Sequence, residues 1–302
     1  VKVDLFNAPL EWQLIYSYMN NQSIYGAQQL HTQSYHEVII HLRSKRRFLV
    51  KDTLYEAGLG DLLIFPAGVP HKGIDVRRAQ YERCYIYINP ELISHLPDGE
   101  VISRCFSDTS PNLIHPKEEL RDELIHDVYK LNHGSSDGFV DDLFGLRVFI
   151  MRLLYIISQN QDQPRVGSSP PPLLRAMMNY IADESSSIQT SASVAEHFGV
   201  SESYMSRLFR ESLRVSPYQY LLSVRLIEAK RRLREGQSVT DACFGAGFSD
   251  CSHFIAYFRK CVGVTPNKYK AQAGEINQNR SFYISLVSVA VSVATLLVTI
   301  TR

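Results

Sequence analysis

Paired cysteines are missing from this sequence: Cys84, Cys105, Cys243, Cys251 and Cys261 contain no CxxC spacing and are odd in number. That excludes a disulfide framework and a clustered-cysteine zinc site, and it points to a reducing compartment. No basic-then-apolar leader follows Val1, so nothing indicates secretion and the expectation is a cytoplasmic protein. No phosphate-binding loop, nucleophile motif or carboxylate pair at a catalytic spacing occurs, and the chain reads as a non-enzyme. Net charge is nearly lacking as well, at +1. What is present is a globular mixture, 45% hydrophobic and 21% charged over 302 residues, enough chain for two domains.

The near-zero charge hides an asymmetry. Residues 1–172 hold 17 Lys and Arg against 21 Asp and Glu, whereas residues 173–272 hold 13 against 9. The second part is the one suited to a polyanion.

Up to about residue 115 the sequence reads as short strands, Glu37–Leu42, Arg47–Lys51, Asp61–Phe65 and Cys84–Ile88, separated by Gly, Pro, Asp and Asn turns, as in a small β-barrel or sandwich. The basic run from Arg43 to Arg47 falls at an expected hairpin turn and reads as a solvated loop. Helices are expected over 117–132 and 141–159. The second carries Leu143, Leu146, Phe149, Ile150, Leu153, Leu154 and Ile157 at helical spacing. That stripe either packs on the barrel or pairs in part with a second subunit, so residues 116–160 are expected to be a helical dimerisation segment. Residues 161–172, rich in Pro and Ser, are expected to be a linker without helix or sheet.

After the linker the chain nearly repeats itself. Phe209, Arg210, Val215, Pro217 and Tyr220 recur 49 residues later as Phe258, Arg259, Val264, Pro266 and Tyr269. Ala195 with Gly199 matches Cys243 with Gly247 at 48. A small residue lets two helices approach closely and a glycine four later permits the tight turn between them, the helix-turn-helix arrangement. Ser201 and Asp250 are good N-caps, so Glu202–Leu213 and Cys251–Val262 are the expected recognition helices. Met205, Leu208 and Phe209, like Phe254, Tyr257 and Phe258, fall on one face and are expected in the core. The opposite face of the first helix presents Ser203, Ser206, Arg207 and Arg210 to DNA, while the second offers Ser252, Arg259 and Lys260 beside Ile255 and Ala256. Between the two units, Ser216-Pro217 starts and Gly236 stops a helix of about 18 residues and about 27 Å. Such a helix can set the recognition helices near one DNA turn, about 34 Å, apart.

These residues carry a resemblance. The span from about Leu173 to Lys270 resembles the DNA-binding domain of the AraC/XylS transcription regulators. It rests on Ser201-x-x-Tyr204-Met-Ser-Arg-Leu-Phe-Arg210, Arg225-Leu-Ile-Glu-Ala-Lys230, Gly247-Phe-Ser-Asp-Cys-Ser-His-Phe254 and Gly263-Val-Thr-Pro-Asn-Lys-Tyr269. The resemblance implies double-stranded DNA and RNA polymerase as partners, with both helices entering DNA. Arg214 stands where a glycine matching Gly263 is usual, and Ala256 where an arginine is common. In the first part, Gly60-x5-Pro66-x-Gly68-x2-His71 resembles the second motif of the cupin barrel, and His31-x-Gln33-x3-Glu37 stands where the first would be. Such a barrel, as the resemblance implies, senses a small-molecule effector, and His31, Gln33, Glu37 and His71 are its candidate pocket residues. With Gln33 in place of a second histidine, turn and pocket roles are favoured over a two-His, one-carboxylate metal triad. No metal and no cofactor is assigned.

The expected organisation is therefore an α+β two-domain chain: a cupin-like barrel (1–115), the helical segment (116–160), the linker (161–172), an all-α double helix-turn-helix domain (173–272) and an apolar extension (273–302). Residues 281–301 carry no charge, enough for a bilayer span. A tether to the inner membrane, a loose extension and a helix folded back on the barrel are all open for it. The leading reading is a homodimeric activator answering an effector of unknown identity; the alternatives are a cupin metalloenzyme with a DNA-binding appendage and a membrane-anchored sensor.

Overall fold

The computed structural model describes residues 2–3, 14–21, 29–43, 45–74, 81–94, 98–107, 110–132, 143–164 and 167–273. The apolar extension at 281–301 lies outside the described residues. Among the described residues no helix is long and apolar enough to cross a membrane.

The N-terminal strands are β1 (Lys2–Val3), β2 (Leu14–Asn21), β3 (His36–Arg43), β4 (Arg46–Val50), β5 (Thr53–Ala57), β6 (Leu62–Phe65), β7 (His71–Ile74), β8 (Tyr81–Ile88) and β9 (Leu113–Ile114). They form two antiparallel sheets, one in the order β1-β2-β8-β3-β6-β9 and one in the order β5-β4-β7. The central strand β3 reads as a nearly unbroken apolar run because both of its faces are covered. Val38, Ile40 and Leu42, with Leu62, Ile64, Cys84, Ile86 and Ile88, share one core cluster with the helices. Ile39, Leu63 and Phe65 instead share a second cluster with Phe48, Val50, Tyr55 and Ala57 of the smaller sheet. The period-two alternation of a strand divides the residues in this way. Of the basic run read as a hairpin loop, Arg43 ends β3 and Arg46 and Arg47 begin β4, so the run leads from one sheet to the other and not between hydrogen-bonded neighbours.

Four helices accompany the larger sheet: α1 (Pro90–Ser94), α2 (Gly99–Arg104), α3 (Glu118–Asn132) and α4 (Leu143–Gln159). On α4, Leu146, Phe149, Ile150, Leu153, Leu154, Ile156 and Ile157 are buried in the sheet-facing core. Apart from Leu143, whose side chain lies outside what the structure describes, the stripe read from the sequence is thus core, and truncating one such residue, Leu153→Ala, costs about 2–5 kcal/mol. A different set on α4, Phe144, Val148, Met151 and Tyr155, stays exposed. Arg152 ties α4 to α3 through Asp127 at 3.0 Å and through Glu123.

The linker departs from expectation. Ser168 pairs with Leu54 of β5 through two backbone hydrogen bonds of 2.8 Å, and a Cβ on Gly167 would sit 2.4 Å from Thr53 Cγ2. Prolines stop a segment from building its own helix or sheet, yet residues between them still offer N–H and C=O groups to an open strand edge.

The remaining helices are α5 (Pro172–Glu184), α6 (Ser191–His197), α7 (Glu202–Leu213), α8 (Pro217–Arg234), α9 (Val239–Gly245) and α10 (Cys251–Val262). The chain divides into two compact units, residues 1–184 with 189–224 and residues 185–188 with 225–302.

Candidate functional site

Both recognition helices begin and end where the caps dictate. Ser201 Oγ accepts from Tyr204 N at 3.2 Å and opens α7, and Asp250 Oδ1 accepts from His253 N at 2.9 Å and opens α10. Hydrogen bonds from the N–H groups of His253 and Ser252 hold the Asp250 carboxyl below the usual carboxylate range. The preceding turns match bond for bond: Val200 N donates to Ala195 O at 3.0 Å, and Phe248 N to Cys243 O at 3.1 Å. Ala195 and Cys243 are fully buried where each pair of helices meets. Gly199 and Gly247 both take positive φ, 63° and 90°, but only Gly247 is also walled in. A Cβ there would lie 2.7 Å from Ser185 O and 2.7 Å from Ser186 Cα.

The faces come out as their spacing implies. Met205, Phe209 and Leu213 of α7 and Phe254 and Phe258 of α10 are buried, with Leu208 and Tyr257 half-buried. On α7, Ser203, Ser206, Arg207 and Arg210 line one open groove of about 540 Å³ together with Ser216 and Tyr218 at the start of α8. Arg207 lies over the Tyr204 ring, 5.4 Å from its centroid. On α10, Ser252, Arg259 and Lys260 are exposed, as are Ile255 and Ala256. Charge pairing separates these cations from others nearby. On α8, Arg231 and Arg232 reach Glu228 at 2.6 and 2.8 Å, and Arg231 also meets Glu235. Glu228 is held below the usual carboxylate range, chiefly by the Arg231 hydrogen bond. Arg207, Arg210, Arg259 and Lys260 make no ion pair among the described residues.

One residue on the quoted motifs has a role that spacing did not reveal. Arg225 is buried in α8 and donates from Nε to Ser185 O at 2.9 Å and from a terminal nitrogen to Ile188 O at 2.5 Å. It thereby satisfies two carbonyls of the loop that crowds Gly247. No local signal marks this, because the partners are 37 and 40 residues away.

In the N-terminal region, three of the four pocket candidates converge. The ligand-capable atoms of His31, Glu37 and His71 all lie within 4.8 Å of one another. Glu37 sits on β3 with cross-strand partners Tyr87 on one side and Phe65 on the other. His71 Nε2 is 3.1 Å from Glu37 Oε2, its Nδ1 donates to Val69 O at 2.9 Å, and its ring stacks on Phe65 at 4.1 Å. His31 Nδ1 donates to Gln29 O at 3.1 Å, and its ring lies 4.4 Å from that of His71. Burial and then the charge of neighbouring Glu37 push the Tyr87 hydroxyl well above its usual range. Gln33 acts through its backbone: its carbonyl accepts from Gly68 N at 2.8 Å and braces the turn before His71. Tyr87 was not read from the sequence as a site residue, although the alternation in β8 aligns it with Tyr85 on one face.

Two family models match the chain: an AraC-like ligand binding domain over residues 21–143 and a helix-turn-helix domain over residues 194–272. The chain is 25% identical over 223 residues to the arabinose operon regulatory protein of Escherichia coli K12, covering 72% of this chain and 73% of that one. It is 27% identical over 124 residues to the transcriptional activator RhaS of Pectobacterium carotovorum (41% and 44% covered). It is 33% identical over 109 residues to the transcriptional regulator ArgR of Pseudomonas aeruginosa (36% and 33% covered). With a ligand-binding region before the linker and a paired helix-turn-helix reader after it, the chain belongs to the AraC/XylS family of transcriptional regulators.

Proposed function

We propose that this regulator is an activator that reads base edges chiefly through α7 and grips phosphates through both recognition helices. The observation that carries the reading is the charge pairing: Arg231 and Arg232 are neutralised by Glu228 and Glu235, while Arg207, Arg210, Arg259 and Lys260 make no ion pair among the described residues and can meet an outside anion. Arg207, flanked by Ser203 and Ser206 and steadied by Tyr204, is the base reader. Arg210, Ser252, Arg259 and Lys260 contact backbone phosphates, and Ala195, Gly199, Cys243 and Gly247 keep the two turns tight. The activator sense is supported by the relative named as a transcriptional activator.

In this reading the effector binds beside His31, Glu37 and His71, with Gln33 bracing the site. The domain extents are 1–115 for sensing, 116–160 for dimerisation, 161–172 for the linker and 173–272 for DNA binding. Two copies pair through Phe144, Val148, Met151 and Tyr155, spaced 4, 3 and 4 along α4, a seam period at four exposed residues. The chain performs no chemistry of its own, meets RNA polymerase at its promoters and works in the cytoplasm.

The test is a genome-wide footprint of the full-length chain, followed by affinity at the recovered sites as salt rises. Enriched sites with affinity falling steeply in salt are expected, because phosphate contacts release counterions. A footprint without enrichment over input DNA, or salt-independent binding, overturns it.

A further inference from the structure

The cluster of His31, Glu37 and His71 is built in a way that a hydrogen-bonding sugar or acid pocket does not require. Both imidazoles have Nδ1 committed to a backbone carbonyl, His31 to Gln29 O and His71 to Val69 O. A carbonyl accepts only, so Nδ1 of each ring is the donor there and Nε2 is the nitrogen that could ligate an ion. His71 Nε2 stands 3.1 Å from a Glu37 carboxylate oxygen, in a place where His71 and Glu37 are 4% and 6% exposed. A buried imidazole nitrogen and a carboxylate oxygen at that distance share a cation, either a proton or a metal ion. Tyr87 of the neighbouring strand is the cross-strand partner of Glu37. Backbone carbonyls behind both rings are the outer contacts that orient metal ligands.

We propose that His31 Nε2, His71 Nε2 and a Glu37 oxygen bind one divalent first-row transition-metal ion. Two imidazoles and a carboxylate suit zinc, iron(II), cobalt(II) or nickel(II), and they are too nitrogen-rich for calcium or magnesium. Ligands about 2.1 Å from a shared ion stand about 3.0 to 3.4 Å from one another. The Glu37–His71 pair is already at 3.1 Å, so the closure needed is about 1.5 Å or less and falls on His31. His31 is half-buried and precedes β3, and its backbone is pinned to His71 by reciprocal hydrogen bonds of 3.1 and 3.0 Å. Three protein ligands leave coordination positions for oxygen donors such as water.

This site uses the residues assigned above to effector binding, but it does not depend on that assignment, and the experiment uses neither effector nor DNA. Full-length protein stripped with a chelator is titrated with cobalt(II), which reports nitrogen and oxygen ligation through its visible absorption. One equivalent per chain, with a d–d band, is expected. His31→Gln and Glu37→Gln should each weaken binding at least tenfold. Circular dichroism and thermal unfolding run on every variant confirm folding, and wild type alone should gain several degrees of melting temperature with the ion, since a ligand that binds only the native state stabilises it. Wild type that is folded yet takes up less than a fifth of an equivalent overturns the proposal. Equal binding by wild type and both folded variants overturns it too, by placing the ion elsewhere. Metal binding without effector binding would leave this site standing and remove the effector reading alone.

Discussion

Arg214 and Gly263 close α7 and α10 in the same left-handed conformation, with φ of 57° and 85°, and each donates its N–H to the carbonyl four residues back, Arg210 O and Arg259 O. A residue with a Cβ carries a steric penalty there that glycine escapes. Arg214→Gly should therefore stabilise the protein by about 0.5–1 kcal/mol, read as a rise in the urea midpoint at unchanged slope. A drop in midpoint would mean that the Arg214 side chain contributes more than its backbone costs.

The two turn glycines should respond unequally to alanine. At Gly199 a Cβ meets nothing within 4 Å, so only the positive φ is opposed and the cost is about 1 kcal/mol. At Gly247 the same methyl meets Ser185 O and Ser186 Cα at 2.7 Å, in a loop already held by Arg225. Gly247→Ala should cost at least about 2 kcal/mol, the sum of strain and overpacking. Chemical denaturation of the two variants side by side checks the order, and equal losses would refute it.

Arg207→Ala should weaken binding to a footprinted site by about 1–3 kcal/mol and hardly change binding to random DNA of the same length. Arg259→Ala should weaken both alike and lower the salt slope by about one. Fluorescence anisotropy at several salt concentrations separates the two patterns.

Val148→Glu, at the centre of the exposed α4 stripe, should convert the proposed dimer to monomer in analytical ultracentrifugation without loss of helical content. A charge facing its own copy across a two-fold seam is both desolvated and repelled. Wild type that sediments as a monomer at all concentrations would remove the seam.

Lys230 is pushed down to about 8, first by burial and then by Arg234. Between about pH 8 and the ordinary lysine range the unfolded chain holds more protons than the folded one, so stability contributed by this site rises with pH across that window. Below it, the charged amine sits beside the Tyr269 ring at 5.8 Å and is carried at a cost. The gain in melting temperature from pH 7.5 to pH 10 should be smaller in Lys230→Met than in wild type, as scanning calorimetry would show. An unchanged difference would place the lysine in water.

The sequence alone determined what lies within a few residues of its cause. Ser201 and Asp250 set the starts of α7 and α10, and the expected spans Glu202–Leu213 and Cys251–Val262 are the observed ones. An N-cap acts on a backbone group three residues away, and a helix face follows from a 3.6-residue period, so both are written locally. The penalty at Arg214 was legible for the same reason, through comparison with Gly263 in the repeat. Tertiary structure decided the rest. The apolar stripe on α4 could equally have faced a second subunit, and only its packing against β3, β6 and β8 made it core and left Phe144, Val148, Met151 and Tyr155 outside. Strands β5 and β7 were too short and too polar to stand out, because their stability comes from pairing with β4. The Pro-rich linker was held by an open strand edge that no pattern within it could announce. The convergence of His31, Glu37, His71 and Tyr87 depends on the registers of β3, β7 and β8, and the burial of Arg225 on a loop 37 to 40 residues away. Contacts of that separation are fixed by which surfaces bury each other, a property of the folded chain and not of any segment of it.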